Sequence, residues 1–263
     1  MRVPILMYHS ITERPNDETR PHAVHPGEFE QQLGYLKDNG FTPLTFADLV
    51  ASVNGTGAAL PRRPIVLTFD DGYADFHSIA LPLLERHGVP ATVFVTTGWL
   101  TDAGADAAGR PLDATLSWSQ VREAASAGIE IGGHSHSHPQ LDQLPDAELR
   151  EELRVNKALL EEKAGCPITT MAYPYGYSSA RVRRQVRETG YQAAAAVNNA
   201  VADRHDILAL PRLTVGWGTT MSKFRRAVED RGVPLVYLKE RALTKGYAIV
   251  RRARYGLRQV ARK

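Results

Sequence analysis

Two adjacent carboxylates follow an apolar run in the stretch VLTFDDGY, residues 66–73. Side chains of neighbouring strand residues point to opposite faces, and two like charges in one pocket disfavour each other's ionisation. A divalent cation resolves this conflict, because it neutralises one carboxylate and favours the ionised form of the other. One of Asp70 and Asp71 could then hold an ion while the other accepts a proton from water. By itself, Asp-Asp-Gly is also a common turn at the end of a strand.

A histidine-rich segment, GGHSHSHPQ (132–140), supplies residue types that would complete a metal site. His134 and His138 are four residues apart, so one helical turn after the preceding strand would put both imidazoles on one face. Two imidazoles and one carboxylate leave a coordination position open for water or substrate, as a catalytic metal requires. A polar, histidine-rich turn without a metal is the competing interpretation. His136 would face elsewhere.

The elements that must position these residues form the pattern of a parallel β/α fold. Apolar segments alternate with segments that carry apolar residues at three- and four-residue spacing and end in glycine. About seven such units favour an α/β fold with a distorted β/α barrel, as a single catalytic domain, over an open sheet. The predicted strands are 3–9, 64–70, 91–97, 129–134, 168–174, 191–197 and 208–215. The predicted helices are 27–40, 74–88, 119–128, 146–165 and 178–190.

Ligands of such folds bind at the carboxyl ends of the strands. The predicted strand ends bring polar residues from distant segments to one rim, namely His9, Asp70, Asp71, His134, His138 and Tyr175. Aromatic residues near this rim could form a platform for a bound ligand, although each could instead pack in the core. They are Tyr73, Trp99, Trp118, Tyr177 and Trp217.

The composition is that of a globular chain with one unusual end. Of 263 residues, 43% are hydrophobic and 23% are charged, and the single cysteine excludes an intrachain disulfide framework and a zinc knuckle. The net charge is +3, but nine Lys or Arg and one Glu give residues 234–263 a charge of +8, which leaves −5 for residues 1–233. An acidic body argues against a nucleic-acid partner.

We therefore divide the chain into a catalytic domain, 1–233, and a basic helical tail, 234–263. Apolar residues recur at roughly helical spacing in the tail, at Leu243, Tyr247, Val250, Leu257 and Val260. Such a helix could lie on an anionic membrane surface, or it could close the bottom of the barrel with a solvated basic face. The apolar run near the start is too short for a signal peptide or a spanning helix. We expect a cytoplasmic protein, at the inner face of the membrane if the tail binds there.

Three ordered motifs together resemble those of the polysaccharide deacetylases, the NodB-homology or family 4 carbohydrate esterases. They are TFDDGY (68–73), HSHSH (134–138) and YPYG (173–176). The resemblance spans roughly residues 1–220. It implies a distorted β/α barrel and metal-dependent removal of N- or O-acetyl groups from sugars.

The resemblance also implies roles for individual residues. Asp70 would be the general base, and the Tyr175 backbone N–H would face the developing oxyanion. Asp71, His134 and His138 would bind one divalent metal ion. Zinc is typical of such a ligand set, and iron, cobalt or nickel suit the same ligands.

Two departures from the family pattern lead to two further hypotheses. The family commonly has an arginine, which holds the base aspartate, at the position of Ala172, and Arg212 in LPRLTV could supply that guanidinium from a neighbouring strand. The family's late histidine, its general acid, has no counterpart, because no histidine follows residue 205. His9 in LMYHS resembles the permuted arrangement of the poly-N-acetylglucosamine deacetylase branch, since the first and last strands of a closed barrel are neighbours. The competing interpretation of His9 is a buried, hydrogen-bonded histidine that ends a strand.

These observations predict a metal-dependent hydrolase that removes an acetyl group from an N-acetylated sugar, polysaccharide or lipid-linked sugar. An O-acetyl esterase and a deformylase of a lipid-linked amino sugar stay open as alternatives. A non-catalytic carbohydrate-binding protein would be expected to lack metal ligands, and all three are present. The residues predicted to contact substrate are Tyr73, Trp99, Arg212 and Trp217.

Overall fold

The computed structural model of the chain describes residues 2–202 and 206–261, except for the side chains at 244–245, 248–249, 252–253 and 256–261. Short strands alternate with helices along the described chain. The strands are β1 (Ile5–Tyr8), β2 (Ser10–Ile11), β3 (Ala23–Val24), β4 (Thr42–Leu44), β5 (Pro64–Phe69), β6 (Thr92–Val95), β7 (Glu130–Gly133), β8 (Thr170–Ala172), β9 (Ala193–Val197) and β10 (Leu210–Thr214).

Helices follow most of the strands. The α-helices are α1 (Pro26–Asp38), α2 (Phe46–Asn54), α3 (Leu81–His87), α4 (Trp118–Ser126), α5 (Asp146–Ala164), α6 (Ala180–Glu188), α7 (Met221–Val228), α8 (Val233–Val236) and α9 (Leu238–Ala261). A π-helical segment, Phe76–Ala80, leads into α3. Single 3₁₀ turns lie at Arg20–His22, Thr97–Trp99, Gly104–Asp106, Leu141–Gln143 and Pro174–Gly176.

The main sheet closes into a barrel. Its parallel strands follow the order β1-β10-β9-β8-β7-β6-β5-β4, and β1 also pairs with β5, which closes seven strands into a ring and confirms the predicted barrel. β4 lies outside the ring, because it shares one edge of β5 with β6: β4 pairs with residues 64–66 and β6 with residues 68–69. All seven predicted strands are present within their predicted bounds. β4 has no counterpart among them, since three residues that include a proline carry no clear strand pattern.

The inside of the barrel is filled by side chains. Ile5, Val66 and Phe94 are fully buried there in one apolar cluster, and Phe46 of α2 joins the same cluster. The Phe46 N–H donates to the Thr92 hydroxyl at the start of β6, with a distance of 2.9 Å. α2 therefore seals the amino-terminal end of the barrel and leaves the carboxyl ends of the strands for a functional site.

A larger apolar core lies between the barrel and the helices around it. Side chains alternate along the strands, so that Leu6 and Leu67 join the outer core while their neighbours Ile5 and Val66 face inward. All five predicted helices are present, as α1, α3, α4, α5 and α6. In the part of the chain that the structure describes, no helix is long and apolar enough to cross a membrane.

The basic tail starts inside this packed body and is helical. Tyr237 is fully buried, and its hydroxyl donates to the Thr214 carbonyl at the end of β10. Further along α9, the Arg251 guanidinium pairs with Asp142, in the segment after β7, at 3.0 Å. These contacts put α9 against loops at the carboxyl ends of the strands. The alternative in which the tail closes the bottom of the barrel is wrong, since α2 occupies that end.

Candidate active site

Asp70 lies one residue beyond β5 and continues the inward-facing side of that strand after Thr68. The Arg212 guanidinium, from β10, donates to both carboxylate oxygens of Asp70 at 2.6 Å. Arg212 also donates to the Thr68 hydroxyl at 3.0 Å and to the Ala196 carbonyl at 3.3 Å, and none of it is exposed. This is the contact with Asp70 that the hypothesis about Arg212 required.

The backbone at Asp71 departs from the strand conformation, so its side chain does not follow the alternating pattern of β5. Its φ of +75° lies in the left-handed region, which non-glycine residues seldom adopt, and Gly72 follows with a φ of +78°. The turn brings the Asp71 carboxylate to the rim, where it faces His134 and His138. The two adjacent carboxylates therefore have separate partners, because Asp70 meets an arginine and Asp71 meets two histidines.

His134 follows β7 directly and is only 2% exposed. Its Nδ1 lies 2.9 Å from the Ala172 carbonyl oxygen. Since a carbonyl oxygen can only accept, we assign the proton to Nδ1, which donates to it. The other ring nitrogen, Nε2, lies 3.3 Å from Asp71 Oδ1. A backbone carbonyl that fixes one ring nitrogen is typical of metal-binding histidines.

His138 reaches the same point through an irregular turn. Ser135 and His138 have φ values of +63° and +60°, and residues 134–138 contain no helix. The Ser135 hydroxyl accepts from the His138 N–H at 3.0 Å and closes the turn. The predicted helical turn is therefore wrong, although the two imidazoles do converge, with ring centroids 5.0 Å apart.

Two side chains of α5 hold this turn, and sequence reasoning missed both. The Glu152 carboxylate accepts from the backbone N–H of His136 at 2.9 Å and of Ser137 at 2.8 Å. Asn156 is fully buried and donates to the Ser135 carbonyl at 2.7 Å. For Asn156, the sequence did contain a signal: an asparagine on the otherwise apolar stripe of a helix.

Asp71, His134 and His138 offer three ligand atoms that lie within 4.8 Å of one another. Asp71 Oδ1 is buried without a hydrogen-bond partner among the described residues, although two imidazole nitrogens lie 3.2 and 3.3 Å away. Three electron-pair donors that face one point are expected around a cation. Two nitrogens and one carboxylate oxygen suit zinc and other divalent transition metals. These residues therefore fit one metal ion with coordination positions left open.

The charges around this point favour a cation. Burial raises the pKa of Asp71, but the contacts with His134 and His138 outweigh burial and hold that pKa well below its usual value. Burial likewise raises the pKa of Asp70, and the Arg212 guanidinium more than offsets it, so that pKa is also lowered. Burial lowers the pKa of His134, yet the two carboxylates raise it above its usual value. Two ionised carboxylates thus attract a proton or a metal ion to the imidazoles.

His9 and His22 face the same cavity, which measures about 290 Å³ and lies at the carboxyl ends of the strands. The two rings lie 4.8 Å apart between centroids. His9 Nδ1 is buried and has no hydrogen-bond partner among the described residues, against the competing interpretation of a hydrogen-bonded histidine. Burial lowers the pKa of His9 to about 4, and Asp71 and Asp70 offset this only in part. Sequence reasoning missed His22, whose segment carries no motif.

Tyr175 lies at the mouth of this cavity. Its backbone adopts a φ of +59°, and its side chain is 51% exposed. Gly176 follows with a φ of +73°, and a Cβ at this glycine would lie 2.5 Å from the Val197 Cβ. The Pro-Tyr-Gly turn therefore needs glycine both for its conformation and for the close approach of β9.

Two of the four predicted substrate contacts are buried away from the cavity. Arg212 is occupied by Asp70, and Trp99 is 6% exposed and packs against the His138 ring at 4.6 Å between centroids. The structure does not support either residue as a sugar contact, because neither side chain lines the cavity. Trp99 instead confines a histidine of the candidate metal site.

The remaining aromatic residues divide between the cavity and other surroundings. Tyr73 and Tyr177 line the cavity. Trp118 is 7% exposed and belongs to the outer core. Trp217 is 51% exposed and lies outside the cavity lining, so it is not part of a continuous platform with the tyrosines.

Comparisons of the sequence and of the structure with known proteins agree on one family. Residues 57–194 match the family model of the polysaccharide deacetylases. The Bacillus subtilis (strain 168) protein YxkH, whose name assigns it provisionally to the polysaccharide deacetylases, is 31% identical over 233 residues, which cover 87% of this chain and 77% of that protein. The poly-beta-1,6-N-acetyl-D-glucosamine N-deacetylase of Escherichia coli (strain K12) is 24% identical over 85% of this chain, and the match spans 38% of that longer protein.

A solved structure of similar fold extends this result. The Streptococcus pyogenes deacetylase PplD, in complex with acetate, matches with a TM-score of 0.77 and 26% identity over 87% of this chain and 98% of that one. The family model covers more than half of the sequence, and its range contains Asp70, Asp71, His134 and His138. The chain belongs to the polysaccharide deacetylase family.

Proposed function

We propose that this polysaccharide deacetylase removes the acetyl group from N-acetylglucosamine residues of a polysaccharide, with the help of one divalent metal ion. One observation carries the proposal: Asp70, held by Arg212, lies beside three ligand atoms of Asp71, His134 and His138 that converge on one point. A base next to a metal site with open positions is the arrangement that amide hydrolysis by water requires.

Named relatives support an N-acetylated substrate. The Escherichia coli protein is named for N-deacetylation of poly-beta-1,6-N-acetyl-D-glucosamine. A Bacillus cereus relative, 27% identical over 59% of this chain, is named a peptidoglycan-N-acetylglucosamine deacetylase. Both names specify an N-acetyl group on glucosamine, and they differ in the polymer. We therefore propose the N-acetylglucosamine unit and leave the polymer to experiment.

Asp71, His134 and His138 would hold the metal ion, which would supply Lewis acidity for the acetyl carbonyl and for water. Asp70 accepts the proton as water adds to the carbonyl carbon, and Arg212 keeps its carboxylate ionised and oriented. The Tyr175 N–H donates to the oxyanion that develops. The C–N bond then breaks, the amine leaves with a proton, and acetate is the second product.

His9 is the proposed donor of the proton to the leaving amine. Its imidazole faces the cavity, and its Nδ1 has no partner among the described residues. With a pKa of about 4, the His9 imidazole is neutral at pH 7 before substrate binds. The proton that it donates must therefore reach it during turnover, and the proton that Asp70 removes from water is the available source.

The test combines metal analysis with product analysis. We expect purified protein loaded with Zn²⁺ to hold one ion per chain and to release acetate from N-acetylglucosamine oligomers. His134→Ala should lose both the stoichiometric ion and acetate release. Asp70→Asn should retain the ion and lose acetate release by a factor on the order of 10³ or more.

The pair of variants separates the metal role from the base role. Retention of a stoichiometric ion by His134→Ala would contradict the ligand assignment, and near-normal turnover by Asp70→Asn would contradict the base assignment. Acetate release from an O-acetylated xylan but not from N-acetylglucosamine oligomers would identify an esterase instead. Formate release from an N-formylated amino sugar would identify a deformylase.

A further inference from the structure

One side of α9 exposes a row of apolar side chains, which we call the outer stripe: Leu243, Tyr247 and Val250. Their exposed fractions are 61%, 57% and 52%. Residues four and three apart lie on one side of a helix, so the three side chains form a continuous strip along α9. Two more exposed leucines, Leu235 at 73% and Leu238 at 61%, lie just before it in the chain.

Among the described side chains of α9, those that contact the body carry polar groups, which reverses the usual pattern of a surface helix. The Arg251 side chain is 10% exposed and pairs with Asp142, which is 13% exposed. Tyr255 packs under the Arg181 guanidinium, which lies 4.8 Å from the centroid of the ring. A helix that turns polar groups inward and apolar groups outward has an outer face suited to an apolar surrounding.

The positive charge of the tail indicates which kind of surface the outer stripe could contact. Residues 234–263 carry nine Lys or Arg and one Glu, and Lys239 and Arg254 are among the exposed side chains of α9. A second copy of this chain would bring a second tail of the same high positive charge against the first, and like charges repel. An anionic lipid surface offers both an apolar layer for the outer stripe and negative charge for the basic residues.

The position of α9 links this surface to the cavity. The Arg251 guanidinium lies 3.1 Å from the centroid of the Tyr177 ring, and Tyr177 lines the cavity. Tyr177 in turn stacks on Tyr175 at the cavity mouth, with centroids 5.7 Å apart. The helix that carries the outer stripe therefore packs directly against the wall of the candidate active site.

We propose that α9 is a membrane-docking helix. It inserts Leu243, Tyr247 and Val250 into the interfacial layer of an anionic bilayer, with Lys239 and Arg254 at the headgroups, and so holds the cavity beside the lipid surface. α9 lies on the bilayer and does not cross it, in agreement with the hydropathy of the described helices. The docking surface is independent of the deacetylase reaction, because none of these five residues lines the cavity.

The first test is flotation of the full-length chain with vesicles. At low salt, we expect the protein to float with vesicles that contain phosphatidylglycerol and to remain at the bottom with pure phosphatidylcholine. The triple variant Leu243→Gln, Tyr247→Gln, Val250→Gln should lower the partition coefficient by about tenfold or more, since the insertion of three apolar side chains is lost. Its acetate release from soluble oligomers should equal that of the unmodified chain.

A matched pair of charge variants tests the basic residues. Lys239→Gln with Arg254→Gln should lower binding to the anionic vesicles by about tenfold, because each basic residue near an anionic surface adds a few-fold. Lys37→Gln with Arg62→Gln removes the same charge at exposed positions outside the tail and should have little effect.

Three results would overturn the proposal. The first is failure of the full-length chain to float with anionic vesicles at low salt. The second is equal loss of binding in the two charge variants, which would mean a general attraction of the whole protein. The third is a dimer in light scattering that the triple variant converts to a monomer while vesicle binding stays unchanged, which would assign the outer stripe to a second copy.

Discussion

The carboxylate of Asp70, the proposed base, is held by one ion pair across the barrel. Asp70 and Arg212 come from strands that are not neighbours, because β1 lies between β5 and β10. At the position where the family commonly has its arginine, this chain has Ala172, which is fully buried in the cluster inside the barrel. The guanidinium that holds Asp70 comes instead from Arg212 of β10.

Arg212→Gln should lower kcat for acetate release on the order of 10²-fold, because Asp70 loses the group that orients it. The uncompensated carboxylate should also cost about 3–5 kcal/mol in the free energy of unfolding. Metal content should stay at one ion per chain, since no ligand changes. Arg212→Lys keeps the charge without the paired hydrogen bonds, so its kcat should lie between those of the unmodified chain and Arg212→Gln. A normal kcat for Arg212→Gln would show that Asp70 needs no such partner.

Glu152→Gln should weaken metal binding about 10- to 100-fold without unfolding the protein, because the turn that presents His138 loses its carboxylate acceptor. Titration with Zn²⁺ measures the change in Kd. Glu151→Gln is the matched control, because the Glu151 carboxylate is next in sequence but pairs with Arg154 on the outside of α5. Equal metal affinity in the two variants would argue against the positioning role of Glu152.

Irregular turns, and not regular elements, give the site its geometry. Six non-glycine residues of the described chain have positive φ, and four of them, Asp71, Ser135, His138 and Tyr175, belong to the three motifs. Such conformations cost roughly 1–3 kcal/mol each, and they persist where surrounding contacts hold them. The strands bring the motifs to one rim, and these turns aim the side chains.

At the opposite end of the barrel, the cap of α2 should affect stability alone. Thr45 accepts from the Asp48 N–H at 3.0 Å, and Asp48 accepts from the Thr45 N–H at 3.3 Å, which together form a capping box. Thr45→Ala should therefore lower the free energy of unfolding by about 1 kcal/mol and leave acetate release unchanged. Thr56→Ala, just beyond the other end of the helix, should cost less in the same denaturation experiment. A large loss of activity in Thr45→Ala would mean that α2 influences the site.

Closure of the barrel brings the two ends of the chain to one place. β1 lies between β5 and β10, so His9 can face a cavity that Asp70 and Thr214 also line. The tail contacts two residues that line this cavity. The buried Tyr237 donates to the Thr214 carbonyl, and Arg251 lies over the Tyr177 ring. The proposed catalytic groups, the candidate metal ligands and the proposed docking helix therefore form one structural unit.

The contribution of Asp75 to the free energy of unfolding should fall as pH rises. Burial raises its pKa to about 6, and hydrogen bonds from Ser10 and the Ile11 N–H offset this only in part. A carboxyl with a raised pKa binds more protons in the folded state, so its stabilising effect is complete below about pH 4 and is lost as pH rises through 6. Asp75→Asn should remove this decline, worth up to about 3 kcal/mol between pH 4 and pH 7.

Thermal unfolding at pH 5 and pH 7.5 checks this prediction. The Tm of Asp75→Asn relative to that of the unmodified chain should be higher at pH 7.5 than at pH 5. Glu123→Gln, which changes an exposed carboxylate on α4 that contacts His77, serves as the control. An identical pH dependence in the unmodified chain and Asp75→Asn would show that Asp75 ionises freely in the folded protein.

The sequence by itself determined the barrel, its seven strands and the residue types of the candidate metal site. These features depend on local periodicity and on short motifs, which survive in a linear sequence. The predicted contact between Arg212 and Asp70 also came from the sequence, because a missing arginine in one motif required another source.

Only the tertiary structure decided how the site is held and which way the tail faces. Glu152, Asn156 and His22 reach the site from segments without motifs, since their roles arise from contacts between distant parts of the chain. The contacts of Arg251 and Tyr255 with the body could not be predicted either, because helical spacing shows that a stripe is apolar but not what lies opposite it. Strand order and helix packing fix those neighbours, and both belong to the folded chain.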